Sequence, residues 1–279
     1  MKTQKVWFIT GASKGFGFEI AKAALEAGQK VVATVRNNAD SLKSALLNNE
    51  LLEVVTLDVT NETEVAAGVQ KAIDRFGKID VVVNNAGFGL LAATEEASDS
   101  EVRKQYDTNV FGLLNVIRAV LPQLRKQQSG HIINISSLFG YMASIPGFGL
   151  YGSTKFAVEG ISEGLALEVK PLGIHVTAAA PGLFRTNFAA PDSYQLSKIK
   201  LDAYAGNVGA IRGHMSNVDG NQSGDPQKLA QVILELADSE SPPLHLPIGK
   251  DSINSFRNKV TQMSKEVDEW EAISGSTEY

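Results

Sequence analysis

The chain has 279 residues and a mass of 29.9 kDa, the size of one large α/β domain, although length alone also admits two smaller ones. Its 43% hydrophobic residues are spread along the chain without an apolar run near the ~18 residues of a membrane-spanning helix, which excludes a transmembrane protein. Twenty-six Lys plus Arg against 31 Asp plus Glu leave a net charge of −5 with no basic stripe, and cysteine is absent, so electrostatic nucleic-acid binding, disulfides, thiolate catalysis and Cys-held metals are set aside.

Residues 6–9 are an apolar run too short for a signal peptide and end in a glycine turn, so the expected location is the cytoplasm. Short β-branched runs at 6–9, 31–35, 52–57, 81–83, 132–135 and 175–179 predict strands, with segments of helical period between them. Ile20, Ala21, Ala24 and Leu25 recur at helical spacing before a stop at Gly28, and Val65, Val69, Ala72, Ile73 and Phe76 repeat the scheme before Gly77. A longer helix is predicted over 110–124, ending near Pro122 or shortly after, and another over 155–169, closed by Pro171 and Gly173. This alternation demands right-handed crossovers and a parallel sheet covered on both faces, a single-domain doubly wound Rossmann-type α/β fold.

Between Pro191 and Pro226 the pattern breaks, and small polar residues crowd 217–224. A loop this long in a compact domain is usually functional, and 191–224 is read as a mobile substrate lid. Helical spacing resumes over 227–237, a last strand is predicted at 244–248, and a charged helical tail occupies 252–279. The four histidines, His131, His175, His214 and His245, are scattered without ligand spacing and are read as structural or exposed, with no metal site.

Thr10 to Gly17 lies between the first strand and the first helix. Gly11 can take the tight turn, Gly15 admits a pyrophosphate close to backbone N–H groups, and Gly17 lets helix and sheet approach. A glycine triplet alone is equally a ligand-free turn, and without a Gly-Lys-Ser/Thr end it is no nucleoside-triphosphate loop.

Tyr151 and Lys155 fall four apart, on one face of a predicted helix, where the cation stabilises a phenolate and is expected to lower the Tyr pKa. Spacing alone is weak, because Tyr194 and Lys198 repeat it within the irregular segment. Tyr194 lacks a preceding strand end rich in hydroxyls and is read as lid or surface. Tyr151 has one: residues 131–137 end in Ser136 and Ser137 at the carboxyl edge of the sheet, where ligands of open α/β folds bind.

Taken together, these residues resemble the short-chain dehydrogenase/reductase family over residues 5–248. Thr10 to Gly17, with Ser13, Lys14 and Phe16, resembles its cofactor turn, and Asn84, Asn85, Ala86 and Gly87 resemble its Asn-Asn-Ala-Gly strand end. Asn109 matches its active-site asparagine, Ser137, Tyr151 and Lys155 its catalytic Ser, Tyr and Lys, and Pro181, Gly182 and Thr186 its loop beneath the nicotinamide. By the same comparison Asp58, before Val59, faces the adenine. Residues 147–160 and the 270–279 tail are similar to bacterial carbonyl reductases related to 17β-hydroxysteroid dehydrogenases. One departure concerns the serine: Ser137 lies 14 residues before Tyr151 where the family usually has 13, a count that lands on Leu138. An extra residue in 141–145 reconciles Ser137 with the pattern, and Ser136 is the alternative.

The resemblance implies that Tyr151 exchanges a proton with the substrate oxygen while nicotinamide exchanges hydride, that Lys155 holds the ribose, that Ser137 hydrogen-bonds the developing alkoxide, and that Asn109 positions a water relaying protons. Read by itself, Asn109 is equally a helix cap and Asn84 a strand-end brace. The second predicted strand ends apolar at Val35 and is followed by Arg36 in place of a carboxylate; with Lys14 it suits a ribose 2′-phosphate, so NADP(H) is expected over NAD(H). Leu90, Met142, Leu196, Tyr204, Val208, Ile211, Met215 and the phenylalanines at 88, 139, 148, 184 and 188 predict an apolar, aromatic mouth for a hydrophobic ketone, aldehyde or secondary alcohol, with Arg185 and Arg212 free to point to water. An NAD-dependent hydroxysteroid or secondary-alcohol dehydrogenase and a non-catalytic dinucleotide sensor are the alternatives. The resemblance further implies a homodimer or homotetramer.

Overall fold

The structure, a computed structural model, describes residues 3–186, 194–218 and 220–277. Apolar runs with no polar alternation need cover on both faces, and the strands obtain it. β1 (Val6–Ile9), β2 (Lys30–Val35), β3 (Leu52–Thr56), β4 (Val81–Asn84), β6 (Gly130–Ile135), β7 (Ile174–Pro181) and β9 (His245–Ile248) form one sheet among the described residues, in the order β3-β2-β1-β4-β6-β7-β9. Every pairing in it is parallel. The doubly wound Rossmann-type architecture expected from the sequence is the one observed.

Two helical layers cover this sheet. Because successive side chains of a strand alternate, Trp7 and Ile9 enter the layer under α1 (Gly15–Glu26) and α8 (Pro226–Ala237), where Ile20, Leu229 and Ile233 meet them. Phe8 points the other way, to Val65 of α3 (Glu62–Phe76), Val116 of α5 (Gly112–Gln127) and Val158 of α6 (Gly149–Val169). Trp7 and Phe8 are fully covered, each contributing roughly 1.5–3 kcal/mol by burial. Local signals set the ends: Asn61 caps α3 through the Thr63 and Glu64 N–H groups, and Gly77 closes it with φ 80°. Asp225 and Pro226 open α8, and α2 (Ala39–Ala45) fills the β2–β3 crossover.

Three readings need correction. The helix predicted over 110–124 starts at Gly112 and runs through Pro122 to Gln127; Pro122 sits on its exposed side, where water can serve the carbonyl it leaves unbonded. It is preceded by α4 (Asp99–Tyr106), which the sequence reading passed over, and by a single π-helical turn, Asp107–Phe111, that makes Asn109 an internal residue and no cap. The segment read as irregular is largely regular where described: β8 (Tyr194–Leu196) pairs with β5 (Gly89–Leu91), and α7 (Ala210–Val218) follows two short turns. Positions 191–193 and 219 of that segment lie outside the described residues, as do Phe188 and the last two residues of the tail. The tail is α9 (Lys250–Ser274) with one further turn, Gly275–Thr277.

Candidate active site

The strand order reverses between β1 and β4, and at that point the carboxyl ends of the strands open into a cavity of about 400 Å³. One half is made by the glycine turn. Gly11 has φ +67°, and a Cβ there would meet Ala86 Cα at 2.9 Å; Gly15 has φ +61°, and a Cβ there would meet only Thr186 Cβ, at 3.9 Å. Ser13, Lys14, Gly15 and Phe16 reach the cavity wall, and α1 begins there with no side-chain cap and no acidic residue in its first turn. Its first N–H groups and positive dipole end are left for an anion.

Gly17 does not reach the wall. A Cβ there would collide with Asn85 Nδ2 and with the Gly11 carbonyl at 2.5 Å, so the glycine serves the close packing of turn and helix. Asn85 explains the crowding, since its Nδ2 donates to the Thr10 and Gly11 carbonyls at 2.9 and 3.0 Å while Thr10 Oγ1 accepts from the Asn85 and Ala86 N–H groups. Asn84 is a brace: its Nδ2 donates to Asn134 Oδ1, Asn134 donates to Ser162, and Ser162 to the Val158 carbonyl, tying β4, β6 and α6 through a buried polar chain.

Arg36, Asp58, Val59, Asn85, Ala86 and Gly87 line the same half, and Pro181, Gly182 and Thr186 border it from the end of β7. Asp58 turns its carboxylate back to Thr60, accepting from the backbone N–H at 2.9 Å and the hydroxyl at 2.8 Å. Arg36 and Lys14 are both exposed residues that line the cavity, and no carboxylate stands at the end of β2.

The other half carries the hydroxyls. Tyr151 and Lys155 are buried in the first turns of α6, and Lys155 Nζ donates to the Ile135 carbonyl at 2.7 Å, 5.8 Å from the centre of the Tyr151 ring. The phenol shares a hydrogen bond with Ser137, whose Oγ is fixed by the Phe139 N–H at 3.2 Å. Ser136 also lines the cavity, but its hydroxyl lies beside the buried Glu159 and makes no well-aligned bond. The geometry favours Ser137 over Ser136, and the turn Leu138–Gly140 after it takes up chain before α6.

The expected fall in the Tyr151 pKa is not found. Burial pushes the phenol up to about 12 and the Ser137 hydrogen bond offsets this only in part, while burial pulls the Lys155 ammonium down to about 8 against the attraction of Glu159. The ammonium is spent on a carbonyl, and desolvation prevails for both groups. At neutral pH the site therefore holds a protonated phenol beside a charged lysine.

Asn109 lies behind the wall. Its Oδ1 accepts from the Phe88 N–H at 3.0 Å, and its Nδ2 donates to the Phe88 carbonyl at 3.0 Å and to Thr154 Oγ1 at 3.1 Å. The amide is committed to protein partners, so the expectation that it positions a water passes from the side chain to the π-turn backbone it holds.

At the mouth, Phe88, Phe139, Phe148, Phe184, Ile211 and Met215 line the cavity as expected, joined by Ile145. Leu90, Met142, Leu196, Tyr204 and Val208 do not. Tyr194 is no surface residue: it is buried in the cluster that holds Phe148 and Tyr151. Arg212 does not point to water either; it is paired with Glu96, which has no exposed surface. Polar residues that sequence reasoning missed also reach the cavity, namely Lys104, Thr108, Gln195 and His214. Lys104 comes from α4, Thr108 from the π-turn, Gln195 from β8 and His214 from α7, and no local motif marks them.

The family model described as short chain dehydrogenase matches residues 5–196. A Botryotinia fuckeliana protein, oxidoreductase BOA17, is 37% identical over 272 residues, covering 97% of this chain and 98% of that one. A 3-ketodihydrosphingosine reductase of Bacteroides thetaiotaomicron is 37% identical over 251 residues, covering 88% of each. Among solved structures, a short-chain dehydrogenase from Streptomyces avermitilis superimposes with TM-score 0.90 at 39% identity, over 99% of this chain and all of that one. ElxO with NADP bound gives 0.73 at 27% identity, over 90% and 100% of the two chains. A 3-ketoacyl-(acyl-carrier-protein) reductase from Brucella melitensis complexed with NADH gives 0.72 at 26%, over 89% and 98%.

Proposed function

The chain belongs to the short-chain dehydrogenase/reductase family, and from that premise we propose that it is an NADP(H)-dependent reductase of apolar ketones or aldehydes, with Tyr151 as proton donor. The observation that carries this reading is one cavity wall that runs from the uncapped start of α1, past Arg36 and Lys14, to a buried phenol hydrogen-bonded to Ser137.

The residues fit a nicotinamide dinucleotide. The α1 N–H groups and Gly15 would hold the pyrophosphate, Arg36 and Lys14 the ribose 2′-phosphate, and Lys155 the nicotinamide ribose. The bound nicotinamide supplies the hydride.

The chain's own groups handle the proton. Tyr151, protonated with a pKa of about 12, gives its phenolic proton to the substrate oxygen as the carbonyl carbon is reduced. Ser137 donates to that same oxygen, worth roughly 2–4 kcal/mol where charge develops away from water. Charged Lys155, whose pKa is about 8, stabilises the phenolate left behind and returns a proton to it. In the oxidative direction the roles reverse.

Phe88, Phe139, Phe148, Ile211 and Met215 supply the apolar walls against which a hydrophobic carbonyl compound would lie, and the relative named for reducing a keto group supports that direction. Segment 191–224 is proposed as the cover of this site, and the chain as a homo-oligomer. The experiment is a panel of ketones and aldehydes of graded bulk with NADPH and with NADH, followed by the loss of reduced-nicotinamide absorbance. Turnover of apolar ketones with NADPH, absent in Tyr151→Phe, is the expected result; a higher kcat/KM for charged keto acids of equal size overturns the substrate class.

A further inference from the structure

Beyond its first two turns, α9 leaves the body of the protein. Ser252 is buried and Phe256 rests on the Tyr141 ring at 4.8 Å between centroids, but from position 260 to 274 every residue is exposed. That stretch is not uniformly polar. Val260, Met263, Val267 and Trp270 are 55%, 51%, 62% and 60% exposed, and they continue Ile253 and Phe256 at alternating steps of three and four. This is the spacing of a coiled-coil seam, carried here by a helix roughly 37 Å long whose part from 260 to 274 has no covering element among the described residues.

We propose that this seam is an interface with a second copy of the chain, paired antiparallel, with Val260 over the partner's Met263. The charges beside the seam select that arrangement. With Val260 and the partner's Met263 in one layer, Phe256 meets the partner's Val267 and Ile253 the partner's Trp270. Lys259 then faces the partner's Glu266, and Lys250 faces the partner's Glu271, each pair occurring twice by the two-fold axis. A parallel, in-register pair places Glu266 against the partner's Glu271. An antiparallel pair slipped by one heptad places Glu266 against the partner's Glu266 or, slipped the other way, Lys259 against the partner's Lys259. Each of these juxtaposes like charges, and the first register does not. A lipid surface is the poorer occupant, since Glu266, Asp268, Glu269 and Glu271 crowd the outer half of the helix against a single Lys265.

The natural chain lacks cysteine, so introduced thiols report unambiguously. Full-length Phe256→Cys and Val267→Cys are mixed and oxidised: the register expects a mixed disulfide, and neither variant alone can form one, because like positions lie about 16 Å apart along the axis. Glu266→Lys in both partners should lower the yield at least tenfold, and adding Lys259→Glu should restore it. A yield in the mixture no greater than in either variant alone overturns the pairing, as does a yield indifferent to Glu266→Lys. Should Phe256→Cys fold poorly, sedimentation of the charge variants decides: self-association weakened by Glu266→Lys and regained in the double variant supports the seam. Charge variants that associate like the natural chain overturn it, and so does monomeric protein that floats with anionic phosphatidylserine vesicles.

Discussion

Arg212 of α7 is clamped to Glu96, which lies before α4 and has no exposed surface. The carboxylate also accepts from the Ala93 and Leu201 N–H groups at 2.9 Å, and Arg212 reaches Ser197 at 3.2 Å. One buried anion thereby fixes the helix that carries Ile211 and Met215 to the cavity. The guanidinium holds Glu96 down to about 2. A depressed carboxylate pKa contributes stability that is present above its ordinary value near 4.5 and is lost as the pH falls toward about 2. Glu96→Ala strands Arg212 and is expected to cost about 3 kcal/mol. The substrate KM should rise while the NADPH KM changes little, as read in steady-state kinetics and denaturant unfolding. Equal rises in both constants would separate the clamp from the substrate mouth.

Tyr151→Phe removes the phenolic proton and keeps the ring, so ketone reduction should fall by at least ~10² with NADPH binding retained. Tyr194→Phe alters the second Tyr-xxx-Lys pair in the same apolar cluster. It should retain activity. Equal losses in the two variants would show that the cluster's packing, and not the Tyr151 proton, limits turnover.

The pH profile separates the two buried groups. Lys155, lowered to about 8, is charged below that value and neutral above it, whereas Tyr151 near 12 stays protonated throughout. The kcat for reduction should therefore fall as the pH rises through about 8, and Lys155→Met should abolish the inflection along with most activity. A wild-type profile flat across that inflection assigns the proton supply to another group.

Much of this was legible in the sequence because the signals are local. Continuous apolar runs identify strands buried on both faces, and Gly11, Gly15 and the Tyr151–Lys155 spacing identify the two halves of the cavity. What the sequence concealed depends on distant pairing or on burial. Gln195 lies on a strand that pairs with residues 89–91, over a hundred positions away, while Lys104 and His214 reach the same cavity from two separate helices. The direction of the Tyr151 shift depends on desolvation, which spacing does not report. The spacing of Asn109 does not report its amide partners either, since Phe88 and Thr154 lie on other elements.

The serine assignment is open to a paired test. Ser137→Ala removes a donor that touches Tyr151, and the rate of reduction should fall by roughly 10²-fold with little change in stability. Ser136→Ala removes a hydroxyl beside Glu159 and takes no hydrogen bond from Tyr151, and should leave kcat within a few-fold. The reverse order would move the catalytic serine one position back.

Cofactor choice tests two cations of the cavity wall. Arg36, after β2, and Lys14, before α1, are both exposed there, and β2 ends without the carboxylate that would accept bonds from a ribose 2′-hydroxyl. A 2′-phosphate carries up to two negative charges and takes paired hydrogen bonds from a guanidinium, whereas a 2′-hydroxyl gains almost nothing from the same group. Arg36→Leu should therefore raise the KM for NADPH by ten-fold or more and leave that for NADH nearly unchanged. Lys14→Ala should add a smaller effect in the same direction, since a flexible ammonium pairs less specifically than a planar fork. Both penalties should shrink as ionic strength rises, because the two cations are open to solvent. A natural chain that turns over faster with NADH at equal subsaturating concentrations would end the argument for the 2′-phosphate.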